Sequence, residues 1–266
     1  MHSQPAADTD LQRSHGKVQL GISRGGSLEA LREEGCAKLR MPHHAAPQIA
    51  EAIIINTAGG LAGGDSFAVE LRTAGDICLT TQAAEKIYPS LGSTTRMSTR
   101  LHVNGTARVI WLPQEAIVFD GARLDRSLEA ELDEGSHLLA VESVVLGRKA
   151  MGEDLTRFSL HDRWRISCRG RLVFADGIRL DENTMHGKAE LQGAGAFAMV
   201  VCIGSQAETL LEPLRQIIGD NGAVSAWNGK LIARLVARDG FELRKSLVPA
   251  LKLLAAPAEL PKVWTL

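Results

Sequence analysis

Residues 101–111 read Leu-His-Val-Asn-Gly-Thr-Ala-Arg-Val-Ile-Trp, an alternating segment on either side of Asn104-Gly105. Leu101 and Val103 on one arm, and Ala107, Val109 and Trp111 on the other, occupy every second position, the period of a strand with one buried face. An Asn-Gly pair accepts the positive φ angles of a type I′ turn, so the segment is expected to form a β-hairpin. Residues 164–174 repeat the pattern: Trp164, Ile166 and Cys168 lead into Arg169-Gly170 and out through Leu172 and Phe174. Both segments are strand pairs, not helices.

Outward from these two, short apolar runs are separated by glycine-bearing turns at Gly25-Gly26, Gly59 to Gly64, Gly75, Gly92, Gly121, Gly135, Gly147 and Gly177. Such regular punctuation from Lys17 to about residue 200 predicts a large, mainly β body. The pattern then changes. FAMVVCIG (197–204) reads as a buried strand, and residues 205–222 place Leu210, Leu211, Leu214, Ile217 and Ile218 at helical spacing before a glycine. KLIARLVA (230–237) is a further strand and FELRKSLVPALKLL (241–254) a second helix, with a kink expected at Pro249. The expected organisation is a loose polar leader over residues 1–16, followed by one domain over 17–266. That domain has a β body (17–195) and a smaller α/β tail (196–266) with about two helices.

Thirty basic and 31 acidic residues leave a net charge of −1, which excludes a protein that works by electrostatic attraction to nucleic acid or anionic membrane. No apolar run approaches the roughly 20 residues of a membrane span, and MHSQPAADTDLQRSHGK lacks a signal-peptide core, so a cytoplasmic location is expected. The four cysteines form no C-x-x-C pair, and the eight histidines form no H-x-x-x-H or H-E-x-x-H site. His43-His44, between prolines, reads as a loop pair.

Gly59-Gly60-Leu61-Ala62-Gly63-Gly64-Asp65 follows the apolar run AIIINT. A phosphate loop ends in Gly-Lys-Ser/Thr, and Asp65 in that place would repel a phosphate. The glycine pairs instead permit close backbone approach. Ser66 invites a serine-hydrolase reading, but no histidine carries the Asp-x-x-His spacing that would supply a base. Three carboxylates stand among small or apolar neighbours: Glu85, Glu142 and Asp176. Each either points to the wet face of a strand or lines a polar interior passage, where it would offer hard oxygen ligands to a divalent ion.

Five blocks, taken together, resemble the urease accessory protein UreD (UreH) family. They are NTAGGLAGGD (56–65), LTTQAAEKIYPS (79–90), WLPQEAIVFDGARL (111–124), LGRKAMGE (146–153) and PKVWTL (261–266). The resemblance implies many strands in stacked sheets and a non-enzymatic scaffold. That scaffold would bind urease apoprotein and accessory protein F, and through F the GTPase accessory protein G. Nickel would pass transiently through an internal tunnel, with no tightly held cofactor. Carried over by motif, the tunnel positions are Asp65, Glu85 and Asp176, with Thr81, Ser90 and Glu142 as further oxygen donors and Gly59, Gly60, Gly63 and Gly64 as the motif loop. Asp65, facing a hydrated passage, is expected to be replaceable without unfolding. Lys86, Tyr88, Pro113, Gln114, Glu115, Asp120 and Gly121 are the block residues expected to face partners or hold the fold. The other readings are the Ser66 hydrolase and a β-rich adaptor without a metal role.

Overall fold

Alternation of buried and exposed side chains runs through most strands of the computed structural model, which describes residues 13–42, 49–148, 152, 155–184, 191 and 193–265. His43 and His44, most of the leader and half of LGRKAMGE lie outside the described residues. Seventeen strands and two α-helices are present among those described. One sheet contains β1 (His15–Ile22), β2 (Leu28–Gly35), β5 (Ser66–Thr73), β8 (Thr95–Val103), β11 (Arg123–Leu132), β13 (Ser159–Cys168) and β14 (Arg171–Asp181), in the order β14-β13-β11-β8-β5-β1-β2. The five central strands are mutually parallel, and β2 and β14 close the edges antiparallel.

The second sheet contains β3 (Ala37–Arg40), β4 (Ala50–Asn56), β6 (Ile77–Thr81), β9 (Arg108–Leu112), β12 (His137–Leu146), β15 (Ala196–Ile203), β16 (Gly222–Trp227) and β17 (Lys230–Ala237). Its order is β16-β17-β15-β12-β9-β6-β4-β3, and β4, β6, β9 and β12 are parallel. Two short strands, β7 (Glu85–Ile87) and β10 (Ala116–Val118), extend it by pairing with each other and, through β10, with β12. The chain alternates between the sheets, β4 to β5 to β6 and onward to β13, so each circuit adds one parallel strand to each sheet.

This winding corrects the reading of residues 101–111. Leu101 pairs with Leu71 and Ala130 in the first sheet, whereas Val109 pairs with Ile77 and Leu138 in the second. The Asn104-Gly105 turn crosses between layers, and of the two only Gly105 has positive φ, at 63°. Leu101, Val103, Val109 and Trp111 all face the same core, which is why one alternating pattern fits an arch as well as a hairpin. Residues 164–174 do form the expected hairpin: β13 and β14 pair antiparallel, and Arg169 (φ 52°) and Gly170 (φ 73°) supply both positive angles. A second such turn, Asn228-Gly229, joins β16 to β17.

Strand β1 begins at His15, inside the expected leader. The α/β tail continues the second sheet through β15 and β17, and its helices, α1 (Leu211–Ile218) and α2 (Gly240–Ala255), lie on that sheet's outer face. Odd and even residues of the second sheet therefore serve two cores. Val109, Trp111, Leu138 and Ala140 pack between the sheets; Ile110, Leu112, Leu139 and Val141 pack under the helices with Leu243, Leu247 and Leu251. Asp239 caps α2 by accepting from Glu242 N at 2.9 Å.

Candidate functional site

The two ends of the wound sheets differ in chemistry. Between the parallel strands, connections from the first sheet to the second are tight turns at residues 74–76, 104–107 and 133–136, whereas those from the second to the first are long: 57–65, 82–94, 113–122 and 147–158. The sequence blocks all reach this second end, at the carboxyl ends of β4, β6, β9 and β12.

The glycine loop packs against the Glu85 block. Leu61, fully buried, donates its N–H to Lys86 O at 2.8 Å and accepts from Tyr88 N at 2.8 Å. A Cβ at Gly60 would lie 2.4 Å from the Tyr88 ring, and one at Gly63 2.1 Å from Ser90 Oγ, so these positions take glycine because of that approach. The Trp111 block then pairs with the Glu85 block through β10 and β7, with Ala116 opposite Glu85. Asp120 accepts from the backbone N–H groups of Arg157 (2.8 Å) and Thr156 (2.6 Å), which hold its carboxyl below the usual range, the Arg157 bond most of all. Gly121, at φ 79°, lies beneath Pro89, and its N–H donates to Arg157 O at 2.6 Å. From the far end of the chain, Trp264 Nε1 donates to Leu112 O at 3.0 Å. Arg244 stacks over the Trp264 ring and donates to Gln114 Oε1 (2.9 Å) and Glu115 Oε2 (3.2 Å).

Between the sheets at this end lies a narrow cavity of about 40 Å³, lined by Thr81, Glu85, Pro113, Gln114, Arg126 and Glu142 together with apolar Phe67, Val69, Met97 and Trp111. A volume of that size admits a few waters or a small ion. Glu85 points to this cavity, while its neighbour Lys86 on β7 faces solvent. Burial pushes the Glu85 carboxyl up to about 7, opposed by the hydrogen bond from Asn56 Nδ2 at 3.0 Å. Gln114 has a fixed orientation: its Oε1 accepts from Arg244, so its Nε2 turns away and is buried without a partner. Thr81 Oγ1 accepts from Gln114 N at 2.8 Å.

Glu142 is not on a wet strand face. It is 5% exposed, on the inner face of β12, where Arg126 Nη1 of β11 reaches its Oε2 at 2.7 Å and Trp111 Nε1 donates to its Oε1 at 3.0 Å. Arg126 Nη2 also binds Asp162 Oδ2 of β13 at 2.6 Å, which makes a buried carboxylate-guanidinium-carboxylate bridge between the sheets. Burial raises the Glu142 carboxyl and the Asp162 charge adds to this, against the pull of Arg126 and Trp111. Arg126 and Asp162 did carry a signal that the sequence reading missed: each breaks the apolar phase of an alternating strand, Arg126 in step with Leu124, Leu128 and Ala130, and Asp162 in step with Leu160, Trp164 and Ile166.

Thr81, Glu85 and Glu142 thus share one cavity. Asp65 is outside its lining: its Oδ1 accepts from Ser14 N (2.8 Å) and its Oδ2 from Ala62 N (2.7 Å), so both oxygens hold the glycine loop and the start of β1. That geometry corrects the expectation that Asp65 can be replaced without structural cost. Cys36 lies within electrostatic reach of both Glu85 and Asp65, and burial, reinforced by these charges, pushes its thiol up. Asp176 faces a different cavity, of about 330 Å³, where it pairs with Arg234 beside Phe197 and Met199. Ser90 lies against Gly63 and donates to Ser93 O. His15 Nδ1 stands 2.9 Å from Ser66 Oγ on the exposed β1–β5 face, but among the described residues no carboxylate is hydrogen-bonded to His15 to orient it as a base. No group of three or more His, Cys, Asp or Glu side chains that could hold a metal ion occurs among the described residues, and no described helix is long and apolar enough to cross a membrane.

Residues 14–265 match the family model described as UreD urease accessory protein. A urease accessory protein UreD of Agrobacterium fabrum is 44% identical over 261 residues, covering 96% of this chain and 91% of the relative. One of Rhizobium leguminosarum bv. viciae is 44% identical over 270 residues, with 98% of each chain covered. One of Mesorhizobium japonicum is 40% identical over 267 residues, with 96% and 95% covered.

Proposed function

Because the chain belongs to the UreD family of urease accessory proteins, we propose that it is a non-catalytic scaffold that conducts nickel between its two sheets toward urease apoprotein. The observation that carries this reading is the cavity where Glu85, Thr81 and Glu142 meet. Its donors are carboxylate and hydroxyl oxygens, which hold a borderline cation such as Ni²⁺ more weakly than imidazole or thiolate would. They are few, and conduction requires binding strong enough to admit the ion and weak enough to release it. Asp65 shapes the loop at the mouth of this passage, and Asp176 stands apart from it.

Partner binding follows the family role. Accessory protein F docks directly, accessory protein G is recruited through F, and urease apoprotein receives the metal. The test is co-expression of a urease operon with and without this chain, followed by nickel analysis of the purified urease. Nickel-poor urease without the chain, restored by supplying it, supports the reading. Equal nickel in both overturns the passage, and capture of urease and F with no effect on nickel supports the metal-independent adaptor instead.

A further inference from the structure

The bridge behind Glu142 has an asymmetry that bears on how the passage proposed above releases its ion. Arg126 is 4% exposed and Asp162 3%, yet Arg126 Nε and Asp162 Oδ1 are both buried without a hydrogen-bond partner. In a guanidinium, Nε–H and the Nη2 group form one edge and project in parallel, the fork that takes a carboxylate two oxygens at a time. Here Nη2 already holds Asp162 Oδ2 at 2.6 Å, so the idle donor and the idle acceptor lie on the two groups already joined. A turn of the Asp162 carboxylate that brings Oδ1 to the Nε–H would complete the fork. Asp162 can then carry the whole Arg126 charge by itself.

We propose that Arg126 is the resident counter-ion of the passage, held by Glu142 when the passage is empty and handed to Asp162 when a divalent cation takes Glu142. The inference rests on the conduction reading above. A bare Glu142 carboxylate in this apolar cavity would be a costly unpaired charge and, once a dication arrived, a trap. A Glu142 bound to an arginine with no other partner would never be free. The shared bridge avoids both, because leaving Glu142 does not strand Arg126. Trp111, on the other oxygen, keeps Glu142 oriented while the exchange takes place. Arg126 and Asp162 are positioning residues in this account, and neither touches the ion.

The experiment uses the full chain and Ni²⁺ alone, with retention read by equilibrium dialysis and release by chelator competition. Arg126→Met combined with Asp162→Asn removes one cation and one anion and leaves Glu142 without a counter-ion. Nickel is expected to be held at least tenfold more tightly and released at least tenfold more slowly than by the wild type, and adding Glu142→Gln should abolish the gain. A variant that melts at lower temperature but retains and releases nickel as the wild type does shows a mere cross-link between sheets, and overturns the proposal. Should the double variant fail to fold, Asp162→Asn alone keeps the neutral Arg126–Glu142 pair and removes only the second holder. It should then slow nickel delivery to urease several-fold with little change in melting temperature, and delivery at the wild-type rate overturns the proposal. Glu142→Gln separates the two levels. Normal delivery by that variant refutes the passage itself, whereas slowed delivery beside wild-type behaviour of the Arg126 and Asp162 variants refutes only the counter-ion exchange.

Discussion

Replacing Asp65 with alanine tests whether this carboxylate holds the fold or faces the ion. It is 7% exposed, and each of its oxygens accepts one backbone N–H, from Ser14 at 2.8 Å and from Ala62 at 2.7 Å. A hydrogen bond to a charged group contributes roughly 1.5–3 kcal/mol, and a donor left buried and unpaired forfeits a similar amount. With two such bonds lost and partial repair by water at the edge of the loop, Asp65→Ala should cost about 3–4 kcal/mol. At this chain length that corresponds to a fall in Tm of roughly 6–16 °C. Asparagine should recover only part of it, since its single carbonyl oxygen can serve one of the two donors. Thermal melts followed by circular dichroism give the answer directly, and limited proteolysis should show early cleavage near residues 13–16 and 57–65. A Tm within about 2 °C of wild type, together with loss of nickel delivery, would refute the structural assignment and return Asp65 to the passage.

Further expectations concern the same end of the molecule. The Glu85 carboxyl is raised from 4.5 to about 7, so between those values the folded chain keeps a proton that the unfolded chain has released. The resulting stabilisation is complete below pH 4.5 and is lost as pH rises through 7. Glu85→Gln should therefore flatten the decline in urea midpoint between about pH 4.5 and 7, and an unchanged slope contradicts it. Gly63→Ala places a methyl 2.1 Å from Ser90 Oγ and 2.5 Å from Ser93 O, and should separate the glycine loop from residues 90–93 with a clear loss of Tm. Trp264 is 2% exposed, donates to Leu112 O and lies under Arg244, so Trp264→Ala should cost about 3–5 kcal/mol and loosen the Gln114–Glu115 loop, as read by amide exchange.

Much of the β body was legible because its rules are local. Arg169-Gly170 needs two positive φ angles and has them, and the apolar spacings of α1 and α2 mark the faces that pack on the second sheet. Residues 101–111 obey the same local rules but form an arch, since whether two alternating strands pair with each other or with strands about 30 residues away is a long-range matter. Asn228-Gly229, a true type I′ turn, lies between the sparse alternation of GAVSAW and the continuous apolar run KLIARLVA, which hides the pairing. The lining of the candidate cavity was half visible. Glu85 and Glu142 stood out as carboxylates in apolar company, and the structure turns both inward; Asp65 stood out equally and is spent on two backbone N–H groups. Arg126 and Asp162 interrupt the inward apolar phase of their strands, which marks them as buried charges, but only the stacking of β11 and β13 opposite β12 shows that they meet Glu142.

The passage itself is tested most directly by the nickel content of urease matured with a chain carrying Glu85→Gln and Glu142→Gln together. Both substitutions keep the side-chain shape. The amide oxygen introduced by Glu142→Gln can still accept from Trp111 or Arg126, and Arg126 keeps Asp162 as its counter-ion, so the fold and the partner surfaces should persist. The account predicts that this variant captures accessory protein F and urease apoprotein as the wild type does, while the urease recovered contains little nickel and little activity. Urease filled with nickel at the wild-type rate by that same variant would contradict it.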